Sequence, residues 1–176
     1  MVGIVDDIRS AGGAGNAVPV ALALVSPELR DEVLVLAPRP QQRAWSGTPG
    51  DTLPPAEHDP AQRPVAILHY GQPVGFLVLH GGVGAGRFVR PHGELLIRAF
   101  FVDAAWQGRG IGGRALGLLP AFVHTAVDAT VERLVLTVNV ENEIALKTYE
   151  RAGFRDTGAR YQRPGGGPQL VLELKI

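Results

Sequence analysis

Between Phe100 and Leu116 the chain runs FFVDAAWQGRGIGGRAL. An apolar, strand-like run ends at Val102, a short connector follows, and QGRGIGG, from Gln107 to Gly113, opens a helical pattern. A glycine-rich turn between strand and helix leaves backbone N–H groups unpaired around a small concavity, and the positive end of the helix dipole points at the same place. Such a turn holds phosphate, so the expected ligand carries a phosphate or pyrophosphate. A P-loop needs Lys and then Ser or Thr after its last glycine. Here Arg114 and Ala115 follow Gly113, which excludes it. Gly108, Gly110 and Gly113 match the dinucleotide pattern G-x-G-x-x-G, and Glu132 lies roughly the 20 residues downstream that this site asks for. The context is wrong, however. Residues 103–107 separate the strand from the glycines, and Glu132 precedes the next apolar run instead of ending it. One βαβ unit also falls short of a doubly wound sheet.

A third ligand class is coenzyme A, which enters through a resemblance. QGRGIG, from Gln107 to Gly112, resembles the Q/R-x-x-G-x-G/A motif of the GNAT family of N-acetyltransferases. Downstream, NVENEIALKTYERAGF is similar to that family's N-x-x-A-x-x-x-Y-x-x-x-G-F element, with Asn142, Ala145, Tyr149, Gly153 and Phe154 at the matching positions. One glycine motif alone is weak, but two blocks in the right order and at the right separation are specific. The resemblance covers residues from about Val65 onward and, more loosely, those before it.

The resemblance implies a mixed, mostly antiparallel α/β sheet with one parallel βαβ unit and flanking helices, built around acetyl-CoA. It implies that strands 95–102 and 133–138 splay apart, and that the pantetheine arm pairs with backbone near Phe100 and Val102. The pyrophosphate would rest on the segment of Gln107, Gly108, Arg109, Gly110, Ile111, Gly112 and Gly113, with Asn142 reaching the pantetheine amides. Tyr149 takes the family's general-acid role, protonating the departing thiolate. A neutral amine attacks the thioester directly in a ternary complex. Backbone N–H near Val102 stabilises the oxyanion, an effect worth about 3 kcal/mol per donor.

The residues carry their own readings beside this. Glycines in such a turn avoid a Cβ that would block the ligand, and Arg109 and Arg114 could add charge-assisted contacts to phosphate. Asn142, Ala145 and Tyr149 sit at i, i+3 and i+7, on one helix face. By spacing alone Tyr149 is equally a core aromatic whose hydroxyl finds a partner. No general base is evident. Where some family members carry Glu or His, this strand has Leu96 and Arg98. Glu94, at an even position like Arg98, Phe100 and Val102, shares their face in a regular strand. It is the candidate base, acting through a water, against a plain pairing with Arg98. Trp106 is read as a packing anchor. Asp51, Glu57 and Asp59 are either a solvated loop or an attractor for a cationic amine. Gly165 to Gly167 would let a late loop approach the acceptor, by analogy with one branch of small-molecule acetyltransferases.

The elements that must position these residues follow from pattern. The 176 residues fit one domain with a substantial core, with 1–16 a leader of little periodicity. A strand at 18–25 precedes a helix with Ser26 as cap and Pro27 at its first position. Pro38 and Pro40 end it, and a short helix spans 41–45. Residues 46–64, rich in Pro and Gly, read as a long loop, either lid or disordered. Strands at 65–70 and 74–80 flank Gly71-Gln72-Pro73, and 81–86 is a flexible turn. The helix after the glycines carries Pro120, expected to bend it. Strands at 154–160 and 169–176, with a loop at 164–168, close the sheet.

Composition narrows the partners. Lys plus Arg and Asp plus Glu number 17 each, so no global field recruits nucleic acid or an anionic membrane. With no cysteine there is no disulfide or thiolate site, and His58, His69, His80, His92 and His124 lack metal-ligand spacing. No run is long enough to span a membrane, and the N-terminus does not read as a secretory signal. A cytoplasmic enzyme acetylating a small-molecule amine is the expectation, with homodimer pairing through terminal strands left open. The rivals are a non-catalytic acyl-CoA sensor of the same fold and an acetyltransferase acting on peptide amines.

Overall fold

The computed structural model describes residues 19–163, 165 and 167–176. The expected leader, Val18 and part of the 164–168 loop lie outside the described residues. The apolar runs become seven strands: β1 (Val20–Leu24), β2 (Gln62–His69), β3 (Gln72–His80), β4 (Glu94–Val102), β5 (Arg133–Asn139), β6 (Arg155–Arg163) and β7 (Gly167–Lys175). They pair in the order β1-β2-β3-β4-β5-β7-β6. Among the described residues only β4 and β5 pair in parallel, so the expected mixed, mostly antiparallel sheet with one βαβ unit is present. The β2–β3 turn is tighter than the Gly71-Gln72-Pro73 reading. Tyr70 and Gly71 both have positive φ, 49° and 83°, as a two-residue hairpin turn requires, and the strand resumes at Gln72.

Among the described residues, five α-helices flank the sheet: α1 (Pro27–Leu34), α2 (Arg43–Ser46), α3 (Pro49–Glu57), α4 (Ile111–Phe122) and α5 (Glu143–Arg151). Ile111, Ala115, Leu116, Leu119 and Phe122 of α4 are buried against Leu22, Leu77, Leu134 and Leu136 on one face. On the other face α1 and α3 bury Val33, Leu53 and Ala56 against Ala66, Phe76 and Phe101. Pro120 does not stop α4, which passes into a π-helical turn at Val123–Val127. Ser26 occupies the N-cap of α1, but its side chain makes no cap hydrogen bond.

Residues 46–64 depart most from the sequence reading. Instead of a long loop they form α3 and the start of β2. Thr48 stands at the N-cap and Pro49 at the first helical position, where the missing N–H costs nothing. Pro54 and Pro55 inside α3 oppose a helix on propensity alone. Full burial of Leu53, worth about 1.5–3 kcal/mol, favours it. The expected flexible turn at 81–86 likewise carries a 3-10 turn, Val83–Ala85, anchored by buried Ala85 beside Val135 and Val171.

Candidate active site

Two irregularities in β4 build the site. The first is a bulge. Phe76 of β3 faces Phe101, yet Val78 faces Arg98, so Ala99 and Phe100 together oppose Leu77. Ala99 takes a left-handed φ of 52°, a conformation costing a non-glycine residue about 1–2 kcal/mol. The bulge reverses the alternation. Leu95 and Ile97 face α4 before it, and Phe100 and Val102 face α4 after it. Leu96 instead joins the cluster of Phe88 and Tyr161 on the opposite face. The expected common face of Glu94, Arg98, Phe100 and Val102 is thereby corrected, because an inserted residue shifts a period-2 pattern by one.

The second irregularity is a splay. β4 and β5 pair from Glu94–Arg133 through Ile97–Leu136 and no further, although β4 continues to Val102 and β5 to Asn139. A cleft of about 1500 Å³ opens there. Phe100, Val102, Gln107, Gly108, Gly110, Ile111, Gly112 and Gly113 line it.

At the glycine turn, Gly110 caps α4 with φ 77° and Gly108 has φ 81°. A Cβ built on either meets no protein atom within 4 Å, so the room beside them is free for a ligand. The Gln107 side-chain amide donates to the Val102 carbonyl at 2.8 Å and to Gln42 Oε1 at 2.7 Å. It ties the turn both to the end of β4 and to the segment before α2. Asp103 accepts from Ala105 N and Ala37 N, each at 2.9 Å. The Arg109 guanidinium stacks on Trp106, 4.7 Å from the ring centre, and donates to the Ala105 carbonyl at 3.3 Å. Trp106 itself meets His69 edge-on at 5.1 Å, a packing contact. Arg114 is exposed on the first turn of α4. The donor set therefore suits a pyrophosphate held by backbone N–H.

Across the cleft, Asn142 Oδ1 accepts from Ala145 N at 3.3 Å and caps α5. Gly153, with φ 95°, follows its end. Asn142, Ala145 and Tyr149 all line the cleft. The Tyr149 ring lies between Phe100 and Phe154, at 5.9 and 5.8 Å. Burial pushes its phenol well above the ordinary value, so Tyr149 stays protonated at neutral pH.

Glu94 does not join them. It is 3% exposed at the far end of β4 and takes no part in lining the cleft. It accepts from Arg90 N and Arg133 Nη2, each at 2.7 Å, and pairs with the Arg90 side chain. Burial alone would raise its carboxyl, but the hydrogen bonds from Arg133 and Arg90 overcome this and hold it at about 2. A carboxylate so saturated is a poor base, and its partners are Arg90 and Arg133, not Arg98.

Of the three acidic residues singled out between 46 and 64, only Asp51 lines the cleft. Glu57 pairs with Arg30 at 2.8 Å, and Asp59 faces His80 at 3.7 Å. His58, His69 and His124 each meet a backbone carbonyl through one ring nitrogen. Among the described residues no group of three His, Asp or Glu side chains is placed to hold a metal ion, and no helix is long and apolar enough to cross a membrane.

Sequence reasoning missed other lining residues. Arg163, near the end of β6, donates to the Ala44 carbonyl of α2 at 3.1 Å and bridges the mouth. Buried Asn139 and Gln169, register partners on β5 and β7, line its floor. A contact between residues 44 and 163 leaves no local signal. Asn139 was visible only as the first residue of the downstream block, three positions before the Asn142 cap.

A parallel strand pair that opens beside a glycine-capped helix defines an acyltransferase-like fold. The model of the Acetyltransferase (GNAT) family matches residues 28–154, and the chain belongs to that family. The uncharacterized N-acetyltransferase YbbJ of Bacillus subtilis (strain 168) is 29% identical over 154 residues, spanning 87% of this chain and 95% of that protein. N-alpha-acetyltransferase RimI of Mycobacterium tuberculosis (strain ATCC 25618 / H37Rv) is 37% identical over 97 residues, 53% of this chain and 58% of RimI. Among solved structures, AAC(6')-Ib in complex with paromomycin and acetyl-CoA superposes with a TM-score of 0.71 at 21% identity, covering 89% of this chain and 93% of that one.

Proposed function

We propose that the protein transfers an acetyl group from acetyl-CoA to the primary amine of a small molecule. The observation that carries this reading is the opening of β4 from β5 after Ile97, directly beside the glycine turn and facing Tyr149. When bound, acetyl-CoA supplies an activated thioester. Backbone N–H from Gly108 to Gly113 holds its pyrophosphate, strengthened by the dipole of α4, which adds about 0.3–1 kcal/mol. Free backbone groups of β4 beyond Ile97 pair with the pantetheine arm, and Asn142 reaches toward it from the cap of α5.

The acceptor amine enters from the face of α2 and α3 and attacks the thioester carbonyl. N–H near Val102 then faces the oxygen that gains charge. As the C–S bond breaks, Tyr149, buried and protonated, would give its proton to the leaving thiolate, and the proton lost by the acylated nitrogen would return to the Tyr149 phenolate through water. Glu94, enclosed by Arg90 and Arg133 away from the cleft, is not assigned the role of base. Helices α2 and α3 wall the acceptor side, and Arg163 ties β6 to α2 across it. That enclosure favours a small acceptor over a peptide laid in an open groove.

Calorimetric titration with acetyl-CoA, with NAD as control, tests the cofactor half. Selective acetyl-CoA binding that Gly110→Val abolishes is the expected result. Equal binding of the two nucleotides, or none by a well-folded sample, rejects it. Turnover is then followed as thiol release, since the chain has no cysteine to give background.

A further inference from the structure

The cleft is unevenly charged. Arg39, Arg87, Arg98, Arg151 and Arg163 line it, against Asp51 alone among carboxylates. Whole-chain charge is balanced, so this is a local concentration. Among the described residues, none of the five forms an ion pair with a carboxylate. Arg151 ends α5, on the cofactor side. The other four come from the elements around the acceptor side: the segment before α2, the loop after β3, β4 itself and the end of β6.

Arg98 is the member of this group carried by β4 itself. It precedes the Ala99 bulge, so it lies on the face turned from α4 and from the glycine turn. A phosphate resting on Gly108 to Gly113 is therefore not its natural partner. The Arg98 guanidinium is held from below, where Nη1 donates to His80 Nδ1 at 3.2 Å. An arginine cannot accept, so His80 keeps its own proton on Nε2. That nitrogen is buried with no hydrogen-bond partner. Asp59 stands 3.7 Å away, and a Cβ on Gly84 would come within 3.1 Å. His80 is only 4% exposed and shut off from the cleft, so it positions Arg98 and does not take a proton from substrate. Nearby, Arg87 stacks on Phe88 and Tyr161 at 5.2 and 5.5 Å, an arrangement that leaves the guanidinium edge free to donate.

We infer that the acceptor carries, besides its amine, an anionic group — a carboxylate or a phosphate — that docks on Arg98, with Arg39, Arg87 and Arg163 around it. The inference rests on the acetyl-transfer reading and names its substrate class. Planar guanidinium donors match both anions. The same field disfavours polyamines and aminoglycosides, whose several ammonium groups would meet arginines with one opposing carboxylate.

The test measures binding to the protein saturated with coenzyme A, so that it does not depend on turnover. Matched pairs are titrated calorimetrically: phenylalanine against phenylalaninamide, and glucosamine 6-phosphate against glucosamine, with spermidine as the polycation. In at least one pair the anionic member should bind about tenfold to a hundredfold more tightly, and which pair responds tells carboxylate from phosphate. Arg98→Gln should erase that preference while coenzyme A binds as before, and Arg98→Lys should restore part of it. His80→Leu should weaken the preference without changing coenzyme A affinity. Equal binding within both pairs, no binding by any member, or spermidine binding most tightly overturns the inference. Acetyl-CoA turnover of spermidine alone would leave acetyl transfer standing and remove only the anionic acceptor. Selective anion binding without turnover of any amine would keep the Arg98 site and reject the enzyme reading.

Discussion

The two ends of β4 solve opposite problems with similar residues. At its start, Glu94 is buried and enclosed by Arg90 and Arg133, and Arg133 is shared with Glu173 on β7. β4 and β5 are hydrogen-bonded there. Three to five residues further on, the pairing ends, Ala99 bulges, and Arg98 lines a cleft with a neutral histidine as its support. A charge whose partners are all protein holds the sheet together. A charge with no carboxylate partner is free for something the protein does not supply. The same strand is closed where it carries structure and open where it carries a site.

Three substitutions sharpen that contrast. Tyr149→Phe, at the open end, should lower kcat about 10²–10⁴-fold and leave acetyl-CoA affinity nearly intact. Turnover equal to the parent's would remove Tyr149 as the acid. Glu94→Gln, at the closed end, should cost about 3 kcal/mol of stability in a denaturant titration, because it strips a partner from a buried ion pair. The refolded variant should keep its kcat, and a large loss of kcat would return Glu94 to the active site.

The pH dependence follows from the same pair. The folded Glu94 carboxyl is held at about 2, below its ordinary 4.5. Its stabilisation is thus complete above about 4.5 and is lost as pH falls toward about 2. Acid unfolding monitored by circular dichroism should be shallower through this window for Glu94→Gln. The smallest effect belongs to the bulge between the two ends. Ala99→Gly relieves a left-handed φ and should stabilise the fold by up to about 1 kcal/mol. A destabilisation of similar size would mean that the packing of Ala99 against Phe76 and Phe101 outweighs its strain.

Much of this was legible along the chain, for local reasons. The glycine turn, the helix cap at Asn142 and the spacing of Asn142, Ala145 and Tyr149 all depend on neighbours within a few residues. The strand order early, βαβ late and a terminal pair last also survive in hydrophobic pattern. The helix at 49–57 was not legible, because two internal prolines oppose it and only the packing of Leu53 and Ala56 against a distant strand selects it.

For the candidate base the failure was sharper. Period 2 put Glu94 on the face of Phe100, and one extra residue at Ala99 broke that period, which no alternation pattern reveals. Sequence by itself determined the family, the order of the elements along the chain and the glycine turn, since each is written in contiguous spacing. Tertiary structure alone decided which charges are paired. Glu94 finds Arg133 from 39 positions away, and Arg163 reaches α2 across 119. Pairing depends on where separate segments meet in space, and whether an arginine is a strut or a binding group depends on that pairing.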